Sequence, residues 1–428
     1  MPRTARRIRI ATSLAASAAL ALTAAGCGSG SGGSDGGTVT LKITTQVDYG
    51  YRGAIYKEFE KTHPGIKVKE VLVDDLPQKL VTQLAAGRGA SDVVGLGDDT
   101  LTKFKPSYAK FLNLADYGVD NTKDPWADWA YQAGTVNNGA FVLGVRTDIG
   151  GMGICYRTDL FKQAGLPTDP GAVAKLWPTW ADFTATGQKF AKKVSSASFT
   201  ANTGDIWVAM TNQHKETFFA ESDDSFIADT NTALKADFLT AADMAVKKVS
   251  GGFPPFSPEM AAALKNGKAA TAVCPAWKLD RTKEASGAAN SGKWSVASAP
   301  GGGNWGGSYL AVPKQTAHPK EAAELARWLT SSATQKKLFL AKGYLSSHPD
   351  VYKDPEVLAK KDTYFSDAPT GEIFAKAADS IQPYYRGTHD SDISGLFVNA
   401  LLRVEQGKQS PEDSWNQAIS DSKKVLGQ

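Results

Sequence analysis

The sequence predicts an α/β protein folded into two lobes. Three observations carry this expectation. Strand-like and helix-like patterns alternate from Thr38 onward. About 390 residues follow the amino-terminal segment, more than one growing core takes up, so two domains or lobes are expected. Glycine-bearing polar crossings separate apolar runs, as in "GVRTDIGGMGICYRTDLFKQAGLP", residues 144–167.

The first 26 residues read as a signal peptide. Arg3, Arg6, Arg7 and Arg9 make a positive start with no acidic residue, and an Ala/Leu run from Leu14 to Ala25 is too short for a permanent membrane helix. Arg6-Arg7 also admits twin-arginine export. The run ends "LTAAGC", and small residues before Cys27 resemble the lipobox of bacterial lipoproteins, although Ala24 stands where Leu is commoner. That resemblance makes Cys27 the lipidated first residue of the mature chain. "GSGSGGSDGG" follows, a flexible tether that completes residues 27–37. The precursor has 48 basic and 44 acidic residues, and the four signal arginines leave 44 of each. A balanced chain offers no electrostatic footprint for nucleic acid. No second stretch is long and apolar enough to span a membrane.

"TVTLKITTQ" alternates Val39, Leu41 and Ile43 on one face and predicts a half-buried strand. "YRGAIYKEFEKTHPG" carries Tyr51, Ile55 and Phe59 at helical spacing and stops at Pro64-Gly65. "IKVKEVLV" is a second strand, "LPQKLVTQLAAG" a helix with Leu76, Leu80 and Leu84 four apart, and "SDVVGLG" a third strand opening into "DDTLTKF". This order predicts a largely parallel sheet. Phe141 to Val145 reads as a strand, and Thr179 as the N-cap of a helix entered through "WPTWADF". "NGKAATAVCPAW" and "WSVASAPGGGNWGGSYLAVP" each carry strands, and the chain is mainly helical after His318. There is no repeat of fixed period.

Known catalytic patterns are missing. "GLGDDT" has Thr100 where a dinucleotide fingerprint needs its third glycine. There is no P-loop, no GxSxG elbow between a strand and a helix, and no HExxH. The five histidines are scattered and three precede prolines, which does not make a metal cluster. No catalytic residue, metal or cofactor is expected. Cys155 and Cys274 lie in strand-like segments; an exported chain permits a disulfide, and two buried thiols are the alternative.

Tryptophan stands out. There are ten, and Trp126, Trp129, Trp207, Trp277 and Trp305 stand near Gly, Pro or Asn in predicted loops. Sugar C–H faces lie against indole rings while hydroxyls bond carboxylates and amides, so Trp with Asp is the chemistry of carbohydrate recognition. Tryptophan is otherwise a core residue.

Five segments in order resemble the solute-binding lipoproteins of bacterial ABC sugar importers, the extracellular family 1 type. They are "AAGRGASDVVGLGDDTLTKF", "GVRTDIGGMGICYRTDLFKQAGLP", "WPTWADF", "NGKAATAVCPAW" and "GGSYLAVPKQTAHPKEAAELARWLTS". Arg146 and Gly151 depart from the pattern, since many relatives have proline at these places. The resemblance covers nearly all of the mature chain. It implies a type II periplasmic-binding-protein-like fold, with lobe 1 at 38–145 and 302–330, and lobe 2 at 146–301 and 331–428. Crossings are expected at 146–151, at "APGGGNWGGS", and near Leu329 to Ala333.

The implied ligand contacts are Asp48 and Tyr49 after strand one, Asp98 and Asp99 after strand three, and Asp148 at the first crossing. Trp207, Trp277 and Trp305 would stack on sugar, with Asn304 beside the last. Asp98 and Asp99 also read as caps of the following helix. The implied protein is a monomeric, lipid-anchored receptor outside the cell membrane, passing an oligosaccharide of cellobiose type to an ABC permease. It is not an enzyme and binds no nucleic acid. A secreted glycoside hydrolase is the rival, and a binding protein for a non-sugar solute a third reading.

Overall fold

The computed structural model describes residues 37–428. The signal segment, Cys27 and the tether up to residue 36 lie outside the described residues. Strand β1 is Val39–Thr45, and its alternation marks a face on which Leu41 and Ile43 are buried. Helix α1, Ala54–Thr62, buries Ile55, Tyr56 and Phe59 against the same core. Strand β2 is Ile66–Leu72, helix α2 Leu76–Ala86, strand β3 Val93–Gly97 and helix α3 Asp98–Phe104. β1 pairs in parallel with both β2 and β3.

After α4, Asp128–Ala133, the strand expected from Phe141 to Val145 breaks in two. Phe141–Val142 is β5 and pairs with β4, Thr135–Val136, as a small separate ribbon. The N–H groups of Leu143 and Gly144 both donate to the Gly134 carbonyl, which turns the chain out of that ribbon. Val145–Arg146 then forms β6, at the edge of the first sheet.

The chain crosses to β7, Gly153–Arg157, and α5, Thr158–Gln163. Helix α6 is Pro170–Ala174, and α7, Trp180–Ala191, starts at Thr179, whose hydroxyl accepts from the Asp182 N–H as the cap was expected to. Strand β8 is Ser198–Thr200, α8 Thr203–Thr211, α9 Thr232–Val246 and α10 Pro258–Lys265. Strand β9 is Ala269–Val273, α11 Lys278–Ser286 and β10 Trp294–Ser298. The second sheet has the order β10-β7-β9-β8.

A glycine-rich crossing returns to β11, Ser308–Ala311, which completes the first sheet in the order β2-β1-β3-β11-β6. β11 is antiparallel to both its neighbours, so the first sheet is mixed and only its β2-β1-β3 part is parallel. Helix α12, Pro319–Leu329, packs on the first sheet. Helix α13, Ser332–Lys342, straddles both cores: Leu338 joins the first and Phe339 the second. The third crossing thus reaches Leu345, whose carbonyl accepts from the Ile149 N–H at 2.8 Å. Short helices α14 (Pro349–Tyr352) and α15 (Pro355–Leu358) lead to α16, Thr370–Asp379, α17, Asp390–Glu405, and α18, Pro411–Val425. Residues 38–428 pack as one compact unit containing every core described here.

Candidate functional site

Between the two sheets lies a cleft of about 790 Å³, large for a small-molecule site. The loop after β1 and the β3–α3 junction form one wall. Helices α8 and α17, residues 254–256, Trp277 and Arg281 form the other, and the crossings at Asp148 and 305–308 form the floor.

The crossings are close-packed backbone. The Trp305 N–H donates to the Gly150 carbonyl at 2.8 Å, and the Gly150 N–H donates to the Asn304 side-chain oxygen at 2.6 Å. A Cβ on Gly150 would stand 1.7 Å from the Trp305 carbonyl oxygen, so only glycine fits there.

Arg146 locks these crossings. Its guanidinium is buried between the rings of Trp129 and Tyr309, 4.8 Å from each. It pairs with Asp98 at 2.8 Å and donates to the carbonyls of Asp148 at 3.0 Å and Gly306 at 2.9 Å. The Tyr309 hydroxyl accepts a further bond from it. Tyr384, from the carboxy-terminal segment, donates its hydroxyl to the other Asp98 oxygen and accepts from the Asn304 amide at 2.8 Å. Burial and the Asp98 charge push the Tyr384 phenol well up, which keeps it a donor.

Four of the predicted contact residues present groups to the cleft. Asp99 is exposed to its solvent, with protein packed on the other sides. Desolvation and then neighbouring Asp98 raise its pKa, while Arg386 opposes. Asp48 accepts from the Gly50 N–H with one oxygen and leaves the second open to the cleft. Trp277 and Trp305 meet edge to face, with centroids 6.0 Å apart, and the Trp277 N–H donates to the Trp305 carbonyl at 2.8 Å. Tyr49 lines the cleft from a largely buried position under β3, and burial raises its hydroxyl pKa. Asp148 lines the floor, accepting from the Thr147 hydroxyl at 2.7 Å and the Ser308 N–H at 3.1 Å. Burial raises its pKa; the Thr147 bond and the Arg146 charge pull it back.

Three expectations need correction. Asn304 is fully buried and holds crossing backbone, so it does not face a ligand. Trp207 is 1 % exposed within α8 and packs on Phe238, Phe397 and Trp415, so only its edge borders the cleft and no face is free to stack. Asp98 borders the cleft, but both of its oxygens are engaged by Arg146 and Tyr384.

Other lining groups escaped the sequence reading. Arg386 bonds the Asn212 side-chain oxygen and pairs with Asp390 at 3.3 Å, while its buried Nε has no partner among the described residues. Burial lifts Asp390 to about 6, against the pull of Arg386. Beneath Trp305 sits Lys278, paired with Asp205 at 2.8 Å in the protein interior. Cys155 on β7 and Cys274 just beyond β9 are bonded to each other, with Cα atoms 5.5 Å apart. Among the described residues no acid, His and Cys group is arranged to hold a metal ion, and no helix is long and apolar enough to cross a membrane.

Comparison with known proteins places this architecture. Residues 43–336 match the family model of the bacterial extracellular solute-binding proteins. The chain belongs to that family. A crystal structure of an extracellular solute-binding protein family 1 member is 37 % identical and superposes with a TM-score of 0.81, covering 90 % of this chain and 99 % of that one. The lactose-binding protein of Rhizobium radiobacter is 26 % identical over 400 residues, 87 % of this chain and 90 % of that relative. The galacto-N-biose/lacto-N-biose I-binding protein of Bifidobacterium longum, solved with lacto-N-biose, shares the fold at 21 % identity and a TM-score of 0.71, covering 92 % of this chain and 98 % of that one. The two-lobe solute-binding architecture accounts for the cleft lying at the crossings, where the two lobes meet.

Proposed function

We propose that this solute-binding protein is the receptor of an ABC importer and takes an oligosaccharide in the inter-lobe cleft. The observation that carries the reading is the pairing of partly buried Trp277 and Trp305, which border the cleft, with the open carboxylates of Asp48 and Asp99 on the opposite wall. Flat C–H faces meet the indoles, and hydroxyls meet the acids and Arg386. The names of relatives point the same way, since the lactose-binding protein and the lacto-N-biose-binding protein both take disaccharides. β-Linked glucose oligosaccharides of cellobiose type are the first candidates. The protein carries its ligand unchanged to the permease and acts as a monomer. Lobe boundaries near residues 145, 301 and 330 fit this motion, with Arg146 itself on the first lobe's sheet. Lipidation of Cys27 would hold it at the outer face of the cell membrane; palmitate labelling that persists in Cys27→Ala would contradict this.

The stacking site is tested by titrating Trp277→Ala and Trp305→Ala with the sugar that binds the wild type. Each loses roughly 10-fold or more in affinity, since an aromatic contact contributes about 0.5–1.5 kcal/mol on top of the apolar area it buries, and about 1.4 kcal/mol is tenfold. Unchanged affinity in both variants would remove the stacking role.

A further inference from the structure

Beside Trp277, the wall of the cleft carries a further aromatic ring in an unusual position. Phe256 is 60 % exposed, although a ring of that size is normally buried. It stands in the turn Pro254-Pro255-Phe256-Ser257, closed by the Ser257 N–H donating to the Pro254 carbonyl at 3.2 Å. Its φ is +59°. With proline second and a positive φ third, this is the arrangement of a type II turn, where glycine is the comfortable third residue. A bulky side chain there is strained, and strain of this kind is retained at sites of function.

The strained turn is fixed at both ends. Ser257 caps α10 through its hydroxyl, which accepts from the Met260 N–H at 3.0 Å. The ring lies offset-parallel to Trp277, with a 14° interplanar angle and centroids 6.3 Å apart. Lys278 Nζ sits 4.7 Å from the Phe256 centroid and 3.9 Å from that of Trp305, and the Arg281 guanidinium is 5.9 Å from Phe256 and 5.4 Å from Trp277. Two cations therefore orient three rings. Behind Phe256 is a separate apolar cavity of about 190 Å³ bordered by Met260, Leu264 and Val273, so core packing does not dictate where the ring stands.

We propose that Phe256 is a specificity-determining residue, forming an outer subsite that stacks a third sugar ring. The shelf runs from Trp305 at the crossing, over Trp277, to Phe256 at the rim, and it selects oligosaccharides of three or more units over disaccharides. This rests on the sugar-binding reading above.

Calorimetric titration of residues 38–428 with paired di- and trisaccharides tests it, using cellobiose with cellotriose, maltose with maltotriose, and xylobiose with xylotriose. In the series that binds, the wild type prefers the trisaccharide by roughly 10-fold, the worth of one stacked ring. Phe256→Ala reduces that preference to within about 2-fold, and Phe256→Tyr keeps it. A wild type that binds both members of its series equally overturns the inference and leaves the sugar reading intact. A preference that survives in Phe256→Ala, or is lost equally in Phe256→Tyr, also overturns it. Binding of no sugar in any series removes the reading beneath it, and the inference with it. Because the ring is exposed, Phe256→Ala leaves the core intact, and an unchanged melting temperature without ligand verifies this.

Discussion

Arg146→Met is expected to destabilise the protein by about 3–5 kcal/mol, the cost typical of removing one partner of a buried ion pair. The substitution keeps an apolar stem between Trp129 and Tyr309 but leaves Asp98 with a buried, uncompensated charge. It also leaves the Asp148 and Gly306 carbonyls without their guanidinium donors. Adding Asp98→Asn to the same chain should recover a large part of the loss, because the stranded charge is then gone. Urea unfolding of the two variants measures this. A single variant within about 1 kcal/mol of wild type would show that the network is not what holds the crossings together.

Removing the Cys155–Cys274 bond is the second large effect. The bond joins neighbouring strands of the second sheet across a sequence separation of 119 residues. Opening so long a loop frees much unfolded-state entropy, about 4–5 kcal/mol in the chain-entropy model and about 2–5 kcal/mol in practice. Both sulfurs are buried, and alanine at both positions adds only small cavities. The double variant should therefore unfold at lower urea and show no further change with reductant, whereas the wild type should lose stability once reduced in urea. Equal midpoints for wild type and double variant would mean that the cross-link contributes nothing to the folded state.

The first half of the fold was legible because its signals are local. Leu41 and Ile43 alternate since one face of β1 is buried, and Leu76, Leu80 and Leu84 recur on one face of α2. Thr179 announced α7 by residue type and position alone. Part of what failed depended on partners distant in the chain. Asp98 looked available for a ligand because its partner Arg146 is 48 positions away and its second partner, Tyr384, lies near the carboxy terminus. Trp207 looked like a loop residue a few positions after Asn202 and Gly204, yet Asn202 caps α8 and turns that stretch into a helix whose tryptophan faces the core. The same capping rule that found Thr179 applied there. Phe256 carried a readable signal as well, a Pro-Pro pair followed by an aromatic residue before the Ser-Pro start of a helix.

Arg146 and the glycines around it also explain the segment that departs most from the family pattern. A proline at 146 would supply rigidity through its ring. Arginine supplies it here through bonds to Asp98, Tyr309 and two crossing carbonyls. Gly150 then lets the first crossing lie directly against Trp305, which positions the indole at the cleft floor.

The cleft is proposed to bind an oligosaccharide and leave it intact. A thermal-shift screen of residues 38–428 against cellobiose, cellotriose, lactose, maltose, xylobiose and free glucose tests it most directly, because ligand bound only to the folded state raises the melting temperature by mass action. The expected result is a concentration-dependent rise with one oligosaccharide class, a smaller rise in Trp305→Ala, and sugar recovered unchanged after incubation. No rise with any sugar, or release of new reducing ends, would contradict it.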